Sequence, residues 1–314
     1  MRMEDFKETI AKEMEARIKG VKITPTKSWK NNGIVRNGLT ICKEQEDVAP
    51  VLYIDSFFEC YKKGELSVED IIEQVVCDYQ NLSIPDIPDL DMLLSTDAFM
   101  NKLNLRLLNW QMNKERIEEC HLLYHLVEGT DLVCLFYVDI YDEGECSGAI
   151  CLTEKIKEKY LTTINSTQEL YQSIIDRINL EDVYLESMKN VIKNMVNLDD
   201  YDENFISLLD EQEVQMYVLS NKEKKYGAYA ILAEATREKI LQVFPKGKVI
   251  VLPSSVHEQI LIAKTGDEDI ECLKLMVKEV NLTAVRTDEV LSFNVYQYDA
   301  ITGKYEIVGE EESV

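Results

Sequence analysis

The chain has 314 residues, enough for one large domain or two of moderate size, and its 46% hydrophobic content predicts a substantial core. Acidic residues outnumber basic ones by 58 to 34, and the net charge of -24 disfavours nucleic acids and anionic lipids as partners. No apolar run is long enough to cross a bilayer, so we expect no membrane partner.

The cysteines and the first residues favour the cytoplasm. No CxxC pair occurs among the eight cysteines, and most lie in apolar runs, where a free thiol behaves as a small hydrophobe. Residues 1–5 begin an acidic amphipathic helix and lack the apolar stretch of a secretory signal. We therefore expect a reduced, cytoplasmic protein.

The N-terminal residues predict a helix followed by a hairpin. Apolar residues recur every four positions over residues 6–18, which predicts a helix that ends at Gly20. Residues 21–29 favour a strand, and residues 30–33 favour a turn because Asn-Gly tolerates a positive φ. Residues 37–38 repeat the Asn-Gly pair, so the hairpin register stays open.

Shorter elements follow as far as residue 100. Ser67 and Asp70 form a pattern that resembles a capping box and marks the start of a helix. The predicted elements are a strand at 51–54 and helices at 57–64, 67–79 and 90–100.

The middle of the chain is predicted to be rich in strands. Residues 103–110 alternate, and residues 131–140 are too apolar for a strand that is wet on one face. The second run is therefore predicted to be a central strand, buried on both faces and paired with residues 147–152. Residues 153–196 predict two or three helices.

The last third is predicted to alternate between strands and helices. Strands are predicted at 214–219, 226–232, 248–252, 259–263, 293–298 and 305–308, and helices at 233–244 and 267–281. The second helix is expected to turn one apolar face inward, formed by Ile270, Leu273, Met276, Val277 and Val280.

Together these elements predict an α+β fold with mixed, largely antiparallel sheets and flanking helices, in one body or two lobes. We expect an N-terminal α/β segment over residues 1–100. A mixed α+β body over residues 101–314 is expected to carry the polar cluster at residues 252–258.

That cluster is the main candidate site. A β-branched strand reaches a proline and is followed by Ser254, Ser255, His257 and Glu258, although the chain has only three histidines. One interpretation is a connecting turn whose serines bond their own backbone. The other is a polar binding surface, with residues 30–33 (Asn31 and Asn32 in particular) as a second candidate surface.

Catalysis by the same residues is the alternative hypothesis. The protein would then be a hydrolase or transferase. His257 would act as the general base, Ser254 or Ser255 as the nucleophile, and Glu258 would orient the His257 ring. Residues two apart in a strand rarely achieve the required hydrogen bond, and no G-x-S-x-G motif occurs.

No metal or cofactor is expected. His121 and His125 are one helical turn apart, but the surrounding residues favour a strand, in which they would lie about 13 Å apart. Asp200, Asp202, Asn204 and Glu211 fit a calcium loop, but a phenylalanine occupies its glycine position. No Gly-rich phosphate motif occurs.

The chain resembles a bacterial family, domain of unknown function 5688, found mainly in anaerobic Gram-positive gut bacteria. The resemblance rests on ordered pieces at residues 30–33, 38–41, 49–53, 61–64, 216–221, 252–258, 279–283, 289–292 and 295–299. It implies no established activity, substrate or cofactor, but it implies that the serine-histidine-glutamate cluster belongs to the family pattern. The chain departs from that pattern at residues 120–121 and 293–294.

From these observations we expect a non-enzymatic module that binds a protein or peptide through Ser254, Ser255, His257 and Glu258. The hydrolase or transferase is kept as the alternative.

Overall fold

The computed structural model describes residues 1–43, 49–81, 96–143, 146–195 and 215–309. These residues form helices and three antiparallel sheets, so the α+β prediction is confirmed. The chain divides into two compact units, Met1–Phe99 with Ile140–Ala149, and Met100–Asp139 with Ile150–Val314. That residues 1–100 and 101–314 are separate domains stays a prediction.

The first unit has a three-stranded sheet in the order β1-β2-β3 and helices beside it. Its elements are α1 (Met3–Arg17), β1 (Val21–Trp29), β2 (Val35–Lys43), β3 (Val51–Tyr53), α2 (Asp55–Lys63) and α3 (Val68–Asn81).

The first Asn-Gly pair makes the hairpin turn between β1 and β2. Asn32 and Gly33 both have positive φ, 58° and 70°, within a short 3-10 helix, Asn31–Gly33. Gly38 lies inside β2 opposite Thr26, so the register that the sequence left open is the one set by the first pair.

The core of the first unit forms where α1 packs with α3 and the sheet. Phe6, Ile10 and Met14 on α1 are fully buried, as the four-residue spacing predicted. The predicted capping box is confirmed, because the Asp70 amide donates to Ser67 Oγ at 3.2 Å and the Ser67 amide donates to Asp70 Oδ2 at 3.0 Å.

The rest of the described chain forms a four-stranded and a six-stranded sheet with helices around them. Its elements are α4 (Thr96–Lys102), β4 (Leu103–Asn109), α5 (Trp110–Glu119), β5 (Tyr124–Leu126), β6 (Leu132–Glu143), β7 (Cys146–Cys151), α6 (Glu154–Tyr160), α7 (Thr167–Ile175), β8 (Val183–Ser187), α8 (Met188–Met195), β9 (Met216–Asn221), α9 (Glu234–Val243), β10 (Lys248–Pro253), β11 (Gln259–Ala263), α10 (Ile270–Thr283), β12 (Tyr296–Asp299) and β13 (Lys304–Ile307).

β6 is the central strand of the four-stranded sheet, paired with β4, β5 and β7. Residues Leu132 to Val138 are each at most 3% exposed, which confirms the predicted strand with two buried faces. The predicted pairing with the following strand is also confirmed.

The six-stranded sheet has the order β13-β12-β10-β11-β9-β8, and every pair is antiparallel. β10 lies inside it, with Val249 opposite both Ala263 and Tyr298. The hairpin of β12 and β13 is confirmed, and Gly303 supplies the positive φ that its turn requires.

Three local predictions are wrong. The predicted strand at 226–232 is a buried 3-10 helix, Gly227–Leu232, and β8 is a strand within a stretch predicted to be helical. Met276 and Val280 on α10 are 45% and 42% exposed instead of turned inward. In each case the type of element, or the face that it buries, depends on packing against residues that are distant in sequence. The spacing of apolar residues does not report such packing.

Candidate functional site

The lip, residues 254–258, is the tight connection between β10 and β11. The Ser255 amide donates to the Glu258 carbonyl at 3.1 Å, so the chain turns here and is not extended. Val256 at its centre is fully buried, and its inward orientation agrees with the prediction. The polar side chains on either side of Val256 are half-buried.

Both serine hydroxyls form hydrogen bonds within the lip. Ser255 Oγ accepts from the His257 amide at 3.1 Å, and Ser254 Oγ donates to Glu258 Oε1 at 3.4 Å. Such local bonds are typical of turns. The serines therefore hold the shape of the loop, and in the described chain neither hydroxyl forms a hydrogen bond with the imidazole.

The His257 ring is fixed by a main-chain donor. Its Nδ1 accepts from the Tyr226 amide at 3.0 Å, and its Nε2 lies 3.6 Å from Glu289 Oε1. A neutral imidazole that accepts at Nδ1 carries its proton on Nε2. The proton therefore faces Glu289, whereas the sequence nominated Glu258 as the carboxylate beside the ring.

This arrangement gives the ring no lone pair for a nucleophile. A general base must present an unprotonated nitrogen to the hydroxyl that it activates. The lone pair of His257 is occupied by the Tyr226 amide, and neither Ser254 nor Ser255 approaches Nε2 within hydrogen-bond distance in the described chain. With 26% of its side chain exposed, the ring is available for contact with a partner.

The segment that holds the ring has an unusual backbone. Tyr226 has a φ of 50°, which a bulky residue adopts only where its surroundings enforce it. Gly227 follows at a close approach, since a Cβ there would lie 2.2 Å from Ser220 Oγ. The same Ser220 hydroxyl donates to the His257 carbonyl at 2.7 Å, which connects β9 to the lip.

An arginine also contacts Tyr226. The Arg106 guanidinium lies 3.8 Å from the centroid of the Tyr226 ring and 4.0 Å from that of Tyr137. The Tyr226 ring is also 5.0 Å from the His257 ring. These contacts place a cationic group and aromatic rings together next to the lip.

A second feature lies at the outer edge of the six-stranded sheet. β8 pairs with β9 on one side, and the Lys222 amide donates to the Asp182 carbonyl at 2.8 Å. Main-chain groups alternate in direction along an antiparallel strand. The N–H and C=O groups of Val183, Leu185 and Ser187 therefore point away from β9.

A lysine occupies one end of this edge, and the next helix begins at the other. Lys239 Nζ donates to the outward carbonyl of Val183, and Ser187 Oγ accepts from the Asn190 amide at 3.3 Å. Leu185 lies between Val183 and Ser187. Its outward amide and carbonyl form no hydrogen bond within the described part of the chain. An unpaired strand edge of this kind is a template for another extended chain.

The edge faces an open groove of 480 Å³, lined by Val183, Tyr184, Leu185, Glu186, Ser187, Asn190, Tyr217 and Lys239. Leu185 lies opposite Leu219, which lies opposite Gln259 at the start of β11. The lip immediately precedes Gln259, so the groove and the lip lie at the same end of the sheet.

Asn31 and Asn32 form the hairpin turn of the first unit, whereas the lip belongs to the second. Both asparagine side chains are half-buried, and Lys30 Nζ lies 4.5 Å from the centroid of the Tyr53 ring beside them. A binding role for this turn stays a prediction.

The two other histidines lie in different backbone conformations, so they do not share one face of a helix. His121 lies in a turn with a φ of 48°, and His125 lies in β5 with its ring stacked on Tyr171 at 3.9 Å. Among the described side chains, no group of three potential metal ligands occurs. The four positions of the calcium-loop pattern lie outside the described residues.

Comparison with known proteins identifies the family. The model of a family of unknown function, DUF5688, matches residues 3–300. The chain belongs to this family. The matched range contains both the lip and β8. No curated protein and no solved structure matches the chain.

Neither the family nor the sequence identified the residues that surround the lip. Tyr226 and Glu289 hold the His257 ring but are 31 and 32 residues away from it in the chain. One signal was present, since Lys225-Tyr226-Gly227 places a glycine directly after a bulky residue. Within the described ranges, no helix combines the length and the apolar composition that a membrane span requires.

Proposed function

We propose that this member of the family is a cytosolic, non-enzymatic module that binds an extended peptide segment of another protein. The peptide would pair with the outer edge of β8 and extend over the lip. The observation that carries the proposal is the outward main-chain pair of Leu185, which faces an open groove at the lip end of the sheet. Strand addition uses such groups for affinity and neighbouring side-chain pockets for specificity.

The charge of the chain supports a basic partner. With a net charge of -24, the protein attracts cationic segments and repels anionic ones over long distances. Glu186 contributes a carboxylate to the groove, and Glu258 contributes one to the lip. A peptide with lysine or arginine at alternate positions would place those side chains on one face of its strand.

A non-enzymatic role is supported by the His257 ring, whose Nδ1 lone pair is occupied. The cytosolic setting is supported by the thiols, because all seven cysteines with described side chains are free. An origin in anaerobic Gram-positive gut bacteria belongs to the same proposal and is supported by the family resemblance.

Selection from a random peptide library, followed by N-methylation of the tightest peptide, tests this function. A peptide paired with β8 points every second amide at the protein. Methylation of the amides that point at β8 removes their hydrogen bonds. Each lost bond should cost about 1 kcal/mol, so the affinity should fall at least about fivefold per bond. Methylation of the alternate set should have little effect. Equal losses from both sets, or no peptide selected at all, would overturn the proposal.

A further inference from the structure

A separate cavity of 310 Å³ lies in the second unit, between β5, α7, α9 and the hairpin of β12 and β13. Its volume corresponds to about ten water molecules at about 30 Å³ each. It is within the range of sites that bind small molecules. Its walls come from segments far apart in sequence, so the fold itself shapes it.

Four aromatic side chains contribute to the walls of the cavity, beside aliphatic and charged ones. His125 and Tyr171 contribute a stacked pair, with centroids 3.9 Å apart and planes at 20°. Tyr298 and Tyr305 contribute an edge-to-face pair at 6.0 Å and 71°. Burial lowers the pKa of His125, so its ring is neutral at neutral pH. Four uncharged rings therefore form part of the lining.

Among the charged groups that line the cavity, one carboxylate forms no ion pair with a described residue. Arg237 is paired with Glu234 at 2.6 Å and also donates to the Ala300 carbonyl at 2.9 Å. Glu128 has no partner within the described part of the chain, although it lines the same cavity. With the ion pair neutral, the site carries one net negative charge.

We propose that this cavity binds a small organic cation of the alkylammonium class. The aromatic rings would hold the cation by cation–π attraction, and the Glu128 carboxylate would balance its charge. The net charge of -24 raises the local concentration of such cations. This site is independent of the β8 edge, so either proposal survives the failure of the other.

Calorimetric titration of the full chain with choline, and with its uncharged carbon analogue 3,3-dimethylbutan-1-ol, tests the site. The two probes have nearly the same shape, so any difference in affinity comes from the charge. Choline should bind at least about tenfold more tightly than the alcohol. Equal affinities, or no binding heat from choline, would overturn the proposal without any variant.

Two substitutions then locate the site. Glu128→Gln should weaken choline binding about tenfold, because it removes the unpaired carboxylate. Glu238→Gln makes the same charge change at an exposed position of α9 outside the cavity and should leave binding unchanged. Equal weakening by the two variants would show a non-specific charge effect and contradict the proposed site.

Discussion

Proline in place of Leu185 removes a single outward amide from the edge of β8. The Leu185 amide points away from β9, so this substitution removes none of the hydrogen bonds between β8 and β9. A peptide paired with the edge would lose one hydrogen bond of about 1 kcal/mol, which is about fivefold in affinity. The proline ring also enters the space of a strand that must lie about 4.8 Å away, so we expect a total loss of at least about tenfold.

Two variants separate this effect from loss of folding. Leu185→Ala removes the same groove-lining side chain but keeps the amide, so it should bind the selected peptide at least about fivefold more tightly than Leu185→Pro does. Glu186→Pro removes an amide that points toward β9, so its main effect should be a stability loss of about 1–3 kcal/mol. Fluorescence anisotropy measures the peptide affinity, and thermal unfolding measures the stability. Leu185→Pro binding as tightly as Leu185→Ala would refute the reasoning.

Further predictions concern the lip, the segment that holds its histidine, and the cavity. His257→Ala leaves the Tyr226 amide without its acceptor and should lower the free energy of unfolding by about 1–3 kcal/mol, measured by denaturant titration. Hydrolysis of generic esters should be the same for His257→Ala and wild type. Gly227→Ala forces a Cβ into Ser220 and should destabilise the protein by about 3 kcal/mol, measured in the same way. His125 has a lowered pKa when folded, so the unfolded chain binds more protons and stability should fall as the pH drops below about 6.5. Thermal unfolding of His125→Gln should show a smaller loss over that range.

Each of these outcomes can fail in a recognisable way. Wild-type stability in His257→Ala would mean that the Tyr226 amide has another acceptor. Wild-type stability in Gly227→Ala would mean that the chain there moves apart at little cost. An identical pH dependence in His125→Gln and wild type would exclude the buried imidazole as its source.

The sequence predicted those elements whose signal is local. The apolar run of β6 and the spacing of buried residues in α1 each depend on their own residues, and both are present. The turn at Asn32 and Gly33 was readable for the same reason, since few residues tolerate a positive φ.

Elements that are stabilised by residues distant in sequence could not be predicted from the sequence. β8 has only five residues and is a strand because it pairs with β9, which begins 29 positions after it ends. The segment Gly227–Leu232 is apolar throughout, and such a run is compatible with a strand or with a buried helical turn. In the structure Gly227 packs closely against Ser220 of β9, a contact that apolar spacing does not report.

The candidate site was predictable only in part. The serines, histidine and glutamate of the lip stood out as a polar cluster after a strand, and Val256 was expected to point inward. The open edge of β8 could not be inferred, because it follows from the strand order and from the direction of single main-chain groups.

Amide hydrogen exchange at Leu185, measured with and without a saturating amount of the selected peptide, tests the strand-edge proposal most directly. This amide has no partner in the described chain, so it should exchange rapidly in the free protein. We predict that the peptide slows its exchange at least about tenfold, while the amide of Glu186, already directed toward β9, changes little. An unchanged Leu185 rate, with new protection appearing elsewhere on the protein, would contradict pairing at this edge.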